Sequence, residues 1–451
     1  VNTVVGWKQI GDDIDGEAAG DIFGQSVSMS ADGRTLAVGA SSNDGAGSDA
    51  GHVRIFQLSN SGDWLQIGAD IDGEASTDNS GYSVSLSSDG SIVAIGAPSA
   101  SGTNSDSGHV RLYQLDSSGN WVQLGSDIDG EVTDDYFGWS VSLSADGKTV
   151  AIGADSSDGN GSDSGHVRVY RLNGSGNWLQ LGSDLEGTAA GIYFGTSVSI
   201  SSDGSIVAIG APYNEASNGN DAGHVKVYQL SSDGDWSQLG SDLEGEAADD
   251  FFGYRVSLDS VGDTLAVGAY GNDSNGSNAG HVRVYKLDAD NKWVQIGRDI
   301  DGEAAGDEFG SSVSLSADGT ILAVGAEFNN GNANDAGHVR VYQLDVNGNW
   351  AQYGNDIDGV AADDNFGWSV SLSDSGKTVA VGADVDDSAS KPGHVRVYEI
   401  VDTQIRLESA AYDAAKGTLT FTGSNFVNKE GSSNDIDVSQ LSITGEGGSS
   451  Y

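Results

Sequence analysis

The sequence predicts an all-β, seven-bladed β-propeller, and three observations carry the prediction. Each of the seven histidines, His52, His109, His166, His224, His281, His338 and His394, sits in a Gly-His-Val triplet. Seven of the nine tryptophans keep the same beat: Trp7, Trp64, Trp121, Trp178, Trp236, Trp293 and Trp350 recur every 57 residues, with one interval of 58. Between successive tryptophans lie four short strand-like runs and no helical periodicity. A four-stranded unit cannot bury its faces alone, so seven such units imply radial stacking.

One unit illustrates the elements in order. Trp121-Val-Gln-Leu-Gly125 is the first run, and Ser140-Val-Ser-Leu-Ser144 the second, with strict alternation. The third is Thr149-Val-Ala-Ile-Gly-Ala154 and the fourth His166-Val-Arg-Val-Tyr-Arg-Leu172. Ala145-Asp-Gly147 is a tight hairpin turn, and Asn173-Gly-Ser-Gly-Asn177 links to the next tryptophan run. The last unit stops without a tryptophan run, whereas Trp7-Lys-Gln-Ile10 precedes the first complete set. The N-terminal strand is therefore expected to close the last blade as its outermost strand, which removes an open sheet edge. The arginines after Gly-His-Val (Arg54, Arg111, Arg168, Arg283, Arg340 and Arg396) are expected to snorkel at the blade exterior.

Composition narrows the function. The chain has 451 residues, 67 acidic against 20 basic, and a formal charge of −47. Such a surface repels phosphate backbones and anionic lipid, which argues against nucleic acid. No run of about eighteen apolar residues is present, so no membrane-inserted helix is expected. There is no cysteine to form a disulfide or a thiolate nucleophile. The chain starts at Val1 with no signal peptide and is expected to be a monomeric domain of a longer polypeptide.

Six units carry Phe-Gly before the second run, at Phe23, Phe137, Phe194, Phe252, Phe309 and Phe366; the remaining unit has Ser80-Gly81. Each third run ends in Gly-Ala, extended to Gly-Ala-Pro at Gly96-Ala97-Pro98 and Gly210-Ala211-Pro212. This set resembles the FG-GAP repeat of integrin α-chain propellers and their bacterial relatives. The resemblance implies an extracellular or cell-surface adhesion or ligand-binding propeller over residues 1–400. The calcium loop of that family does not carry over, because its place is taken by tight turns such as Ser30-Ala-Asp-Gly-Arg34. Residues 401–451, with strand-like Lys416–Gly423 and Leu441–Thr444, are similar to the opening of β-sandwich repeats in large secreted bacterial adhesins.

Two long loops per unit share one face, and function is expected there. The first loop repeats Asp-[Ile/Leu]-[Asp/Glu]-Gly and often an Asp two residues before Phe. Asp127, Asp129 and Asp135, and likewise Asp299, Asp301 and Asp307, are candidate calcium ligands; Asp44, Asp49 and Asp163 are the candidates in the second loop. The same aspartates also suit Asx-turns and hairpin caps, and recurrence in every unit favours that scaffold role. Aromatics enter only some blades: Tyr213, Tyr270 and Phe328 in the second loop, Trp139 and Trp368 after Phe-Gly. With Asp158, Asp221 and Asp273 they form the candidate ligand site. The in-register histidines are expected to order their blades by bonding a loop carboxylate or carbonyl. No histidine stands outside the register and no carboxylate pair singles itself out, so no enzymatic activity is expected. The function expected is calcium-dependent adhesion, by a bacterial extracellular or cell-surface module, to a glycan or peptide on another cell surface through the acidic long-loop face. A structural spacer is the alternative, and a glycosidase or lyase a third.

Overall fold

Alternating Ser and Val in the Phe-Gly runs and unbroken Val, Ala and Ile in the Gly-Ala runs set the layers of each blade. The computed structural model describes residues 5–101, 104–215, 218–384, 392–402, 406–413 and 418–424. These form two units, one of Trp7–Ile400 and one of Val1–Gly6 with Val401–Tyr451. The larger is all-β, with seven antiparallel sheets arranged as a seven-bladed propeller. In the third blade the order from the axis outward is Ser140–Leu143, Thr149–Ala154, His166–Leu172 and Trp178–Gln180. A two-residue fifth strand, Leu185–Glu186, also pairs with His166–Leu172, an element the sequence reading lacks.

The second strand of a blade is sandwiched between its neighbours and is buried on both faces, as in Thr149–Ala154. The apolar core is therefore divided into seven clusters, one at each blade-to-blade interface. One of them, for example, joins Ala208 and Val227 of the fourth blade to Leu265 and Val267 of the fifth.

The Phe-Gly and Gly-Ala pairs meet across these interfaces. The six phenylalanines are fully buried. A Cβ on Gly39 would lie 2.0 Å from the Gly81 carbonyl oxygen of the next blade, and one on Gly96 2.1 Å from that of Gly138. Only glycine allows this approach.

Hydrogen bonds run around the axis in closed rings. Ser28 Oγ accepts from Leu86 N at 2.9 Å, Ser85 Oγ from Leu143 N, and so on to Ser371 Oγ, which accepts from Met29 N. A second ring is pure backbone, from Ala31 N to Ser88 O and onward until Asp374 N returns to Ala31 O. At the rim, each tryptophan indole N–H donates to a carbonyl of the preceding blade, from Trp64 to Ile10 O through to Trp7 to Tyr353 O.

Closure follows the expected route. Val5–Gln9 is the outer strand on His394–Asp402, whose inner partners are Thr378–Ala383 and Phe366–Leu372. Ile10 N donates to Val397 O at 2.8 Å. The arginines do not snorkel: all six are buried, and Arg168, Arg283, Arg340 and Arg396 pair with Asp184, Asp299, Asp356 and Asp13. Their carboxylate partners come from the loops that pass over them. In the smaller unit Arg406–Asp413 and Thr418–Ser424 form an antiparallel hairpin, while Leu441–Thr444 lies outside the described residues.

Trp7 is the test of closure, because it brings the last blade both a rim hydrogen bond and a buried ring at 8% exposure. Trp7→Ala is expected to lower the unfolding free energy by about 3–5 kcal/mol, read from urea denaturation. A change within about 0.5 kcal/mol, the range of ordinary surface substitutions, would show that the ring closes without this strand.

Candidate ligand site at the axial mouth

What recurs in seven blades builds the ring, so the site is sought where equivalent positions differ. Three positions per blade do so at the axial end of the long-loop face. After Phe-Gly stand Gln25, Tyr82, Trp139, Thr196, Tyr254, Ser311 and Trp368. After Gly-Ala stand Ser41, Pro98, Asp155, Pro212, Tyr270, Glu327 and Asp384. Before Phe-Gly stand Ile22, Asn79, Tyr136, Tyr193, Phe251, Glu308 and Asn365, every one with positive φ, from 50° at Asn365 to 56° at Ile22. A left-handed backbone is costly for isoleucine and aromatic residues. It is held by a turn in which the residue after Phe-Gly donates its N–H back to this carbonyl, as from Trp139 to Tyr136 O at 3.0 Å.

These turns gather aromatic rings from the second to fifth blades. Tyr193 meets Tyr213 at 5.1 Å between centroids, Tyr213 meets Phe251 at 5.4 Å, and Phe251 stacks on Tyr270 at 4.9 Å with planes 5° apart. Tyr254 then meets Tyr270 edge-on at 4.6 Å. On the other side Tyr82 packs on Trp139 at 4.5 Å. Burial, with Tyr254 nearby, pushes the Tyr82 phenol far above the usual tyrosine range. Beneath lies an axial cavity of about 190 Å³, lined by the inner strands of all seven blades and by Tyr82, Trp139, Trp368 and Arg255. A larger recess of 530 Å³ lies at the rim beside Asp127, Asp129, Tyr170 and Trp178. Its counterpart at Asp13, Asp15, Phe56 and Trp64 shows that it comes with the repeat.

The charge at the mouth is unlike the rest of the molecule. Burial raises the Asp155 carboxyl to about 7. Burial, reinforced by Asp384 and Glu308, raises Glu327 to about 8. Arg255 stands where the other six blades have serine. Those serines, from Ser26 to Ser369, each donate to the Phe-Gly glycine carbonyl of the next blade. Arg255 instead lies over the Tyr254 ring at 4.5 Å and donates to Tyr254 O at 3.0 Å.

Of the residues expected to contact ligand, Tyr213, Tyr270 and Trp139 join this aromatic wall, and Trp139 and Trp368 line the cavity. Phe328 is half-buried next to Glu327. Asp158 and Asp273 are exposed and close their own loops, accepting from Asp163 N and Asn278 N. Asp221, at φ 52°, takes the left-handed position of such a loop. Arg255, Asp155 and Glu327 escaped the sequence reading. Register alone reveals them, as departures from Ser26 and Ser41 at equivalent positions.

The aspartates expected to hold calcium take these places in the structure. Asp135 and Asp307 cap Val132 N and Ala304 N, and Asp307 also takes the Asn329 amide. Asp127 accepts from Gln123, and Asp299 from Gln295 and Arg283. Asp129 and Asp301 pair through their backbones with His109 and His281. Asp44 accepts from Asp49 N, while Asp49 and Asp163 hold left-handed turns at 52° and 53°. Among the described residues three acid–imidazole groups converge, Glu17-His52-Asp70, Glu246-His281-Asp299 and Glu303-His338-Asp356. In each an arginine already pairs with a carboxylate: Arg54, Arg283 and Arg340.

Nε2 of His52, His109, His166, His224, His281 and His394 is buried with no hydrogen-bond partner among the described residues. Phe137, Phe194 and Phe366 pack on His166, His224 and His394. Burial lowers all seven imidazoles, His166 and His224 to about 4.

A seven-bladed propeller with a built axial mouth is the class that fold and site define. The FG-GAP repeat model matches residues 14–56, 128–170, 186–228, 244–285, 300–342 and 358–398, so the chain belongs to the FG-GAP repeat family. The unmatched unit is the one in which Ser80 replaces phenylalanine. No curated protein matches in sequence. Among solved structures, the periplasmic gluconolactonase PpgL of Pseudomonas aeruginosa is similar at TM-score 0.51 and 19% identity, over 75% of this chain and 85% of that one. That likeness is one of fold, and it corrects the expectation that this chain is no enzyme: a fold of this kind carries catalysis in that protein.

Two opposed pH effects follow. Neutral, buried histidines stabilise the fold above about pH 6.5, and that stability is lost as pH falls through the lowered folded values, near 4 for His166 and His224. Raised carboxyls act the other way: the stability from neutral Glu327 is full below about pH 4.3 and is lost as pH rises through about 8. Denaturant midpoints across pH 4–9 are expected to fall on both sides of a maximum. Glu327→Gln should flatten only the alkaline side.

Proposed function

We propose that the chain is an extracellular adhesive propeller that binds a glycan on another surface at the axial mouth. The observation that carries this reading is the aromatic wall of Tyr193, Tyr213, Phe251, Tyr270 and Tyr254, present in some blades only. A spacer has no use for such asymmetry, whereas sugar rings are held by flat apolar faces beside a few directed polar groups. The test is a glycan and peptide panel read by calorimetry. Tyr213→Ala and Tyr270→Ala are each expected to weaken glycan binding about tenfold or more, which is about 1.4 kcal/mol, with the melting temperature little changed. Chelator is expected to leave affinity unchanged, because protein donors engage the loop carboxylates. Binding of peptides alone, or of neither class, overturns the reading.

A second reading is hydrolytic. Glu327 and Asp155, raised to about 8 and about 7, titrate where a general acid must. The gluconolactonase likeness supports asking the question. Turnover of sugar lactones or glycosides by the chain, abolished in Glu327→Gln, would establish it. Its absence across such a panel removes it.

A further inference from the structure

Among the described residues that line it, the axial cavity has one fixed cation. Arg255 lines it from the inner strand of the fifth blade. The buried arginines on the Gly-His-Val strands are paired with acids, yet among the described residues no carboxylate lies within ion-pair distance of Arg255. This holds in a chain with 67 acidic residues. It lies over the Tyr254 ring and donates to the Tyr254 carbonyl, contacts that fix the guanidinium and leave further N–H donors to spare, and its charge also acts on Glu327. The ring architecture does not require it, since six blades place a serine at this point, each hydroxyl spent on the next blade's carbonyl. A guanidinium that the ring does not require, lining a cavity with N–H donors to spare, suits recognition of an anion. Its planar fork matches a carboxylate in two parallel hydrogen bonds.

The size of the cavity limits what enters. About 190 Å³ holds roughly six waters at ~30 Å³ each, or a single sugar ring, but not the interior of a chain. Tyr82, Trp139 and Trp368 supply aromatic side chains to its lining. Nearby carboxyls do not defeat an anion. Asp155 and Glu327 are held toward the neutral form by burial, and a neutral carboxyl donates a hydrogen bond to a sugar hydroxyl or carboxylate.

We infer that the glycan bound at the mouth ends in an acidic sugar, a terminal uronate whose carboxylate pairs with Arg255 inside the axial cavity. This rests on the glycan reading and names its ligand class. The test uses short galacturonate, glucuronate, mannuronate and guluronate oligomers, each beside its neutral methyl ester, titrated into the chain and into Arg255→Ser. The ester keeps the shape and removes the charge, and serine is the residue the other blades fold with.

At least one acid is expected to bind tenfold or more tightly than its ester, with the preference lost in Arg255→Ser and weakened by salt. Equal binding of acid and ester, or a preference that survives in Arg255→Ser, overturns the inference and leaves the glycan reading standing. Binding of neither by the unaltered chain, with no binding on the neutral glycan panel, overturns both. A melting temperature for Arg255→Ser close to that of the parent confirms that any lost preference comes from the site.

Discussion

The approach of one glycine to the carbonyl of the next blade is the contact on which the whole ring depends. An added Cβ would sit 2.0 Å from that oxygen at Gly39 and 1.9 Å at Gly210. Because the backbones touch here, the inner strands converge enough for serine hydroxyls and turn amides to reach across each interface. Farther out the same blades are held apart by phenylalanine, tyrosine and tryptophan. Small residues inside and large ones outside make each blade a wedge, and identical wedges close a circle without a disulfide.

The cost of this repetition is that most side chains have no freedom to do anything else. Aspartates that look like ligands cap loops, and arginines that look exposed are buried under those loops. The mouth escapes because its three variable positions lie on turns closed by backbone hydrogen bonds, such as Trp139 N to Tyr136 O. Their side chains can change without touching the ring. The mouth thereby gains an environment opposite to the surface around it: aromatic, with carboxyls pushed toward neutrality and the Arg255 guanidinium held against Tyr254.

Much of this was legible in the residue order. The regular interval of Trp7, Trp64 and their equivalents determines blade number, and the missing tryptophan run after Tyr398 reveals which strand closes the circle. The fifth strand left no trace, because two residues such as Leu185-Glu186 are too short for any alternation to register. A polar ring invites a hydrogen-bond partner, and the sequence did not show that His166, His224 and His394 pack on phenylalanine with Nε2 buried and unpartnered among the described residues. Tyr213, Tyr270, Trp139 and Trp368 stood out as aromatics absent from sister blades. Arg255 was hidden by its position in a strand rather than a loop, and Asp155 and Glu327 by the crowd of other acids.

The division of the tryptophans between rim and axis has an optical consequence. Seven indoles share one setting, each donating to a carbonyl of the preceding blade, so their emission should superpose into a single band that reports on the integrity of the circle. The other two, Trp139 and Trp368, line the cavity. The molecule thus carries two built-in fluorophore populations, one blind to occupancy of the axis and one facing it.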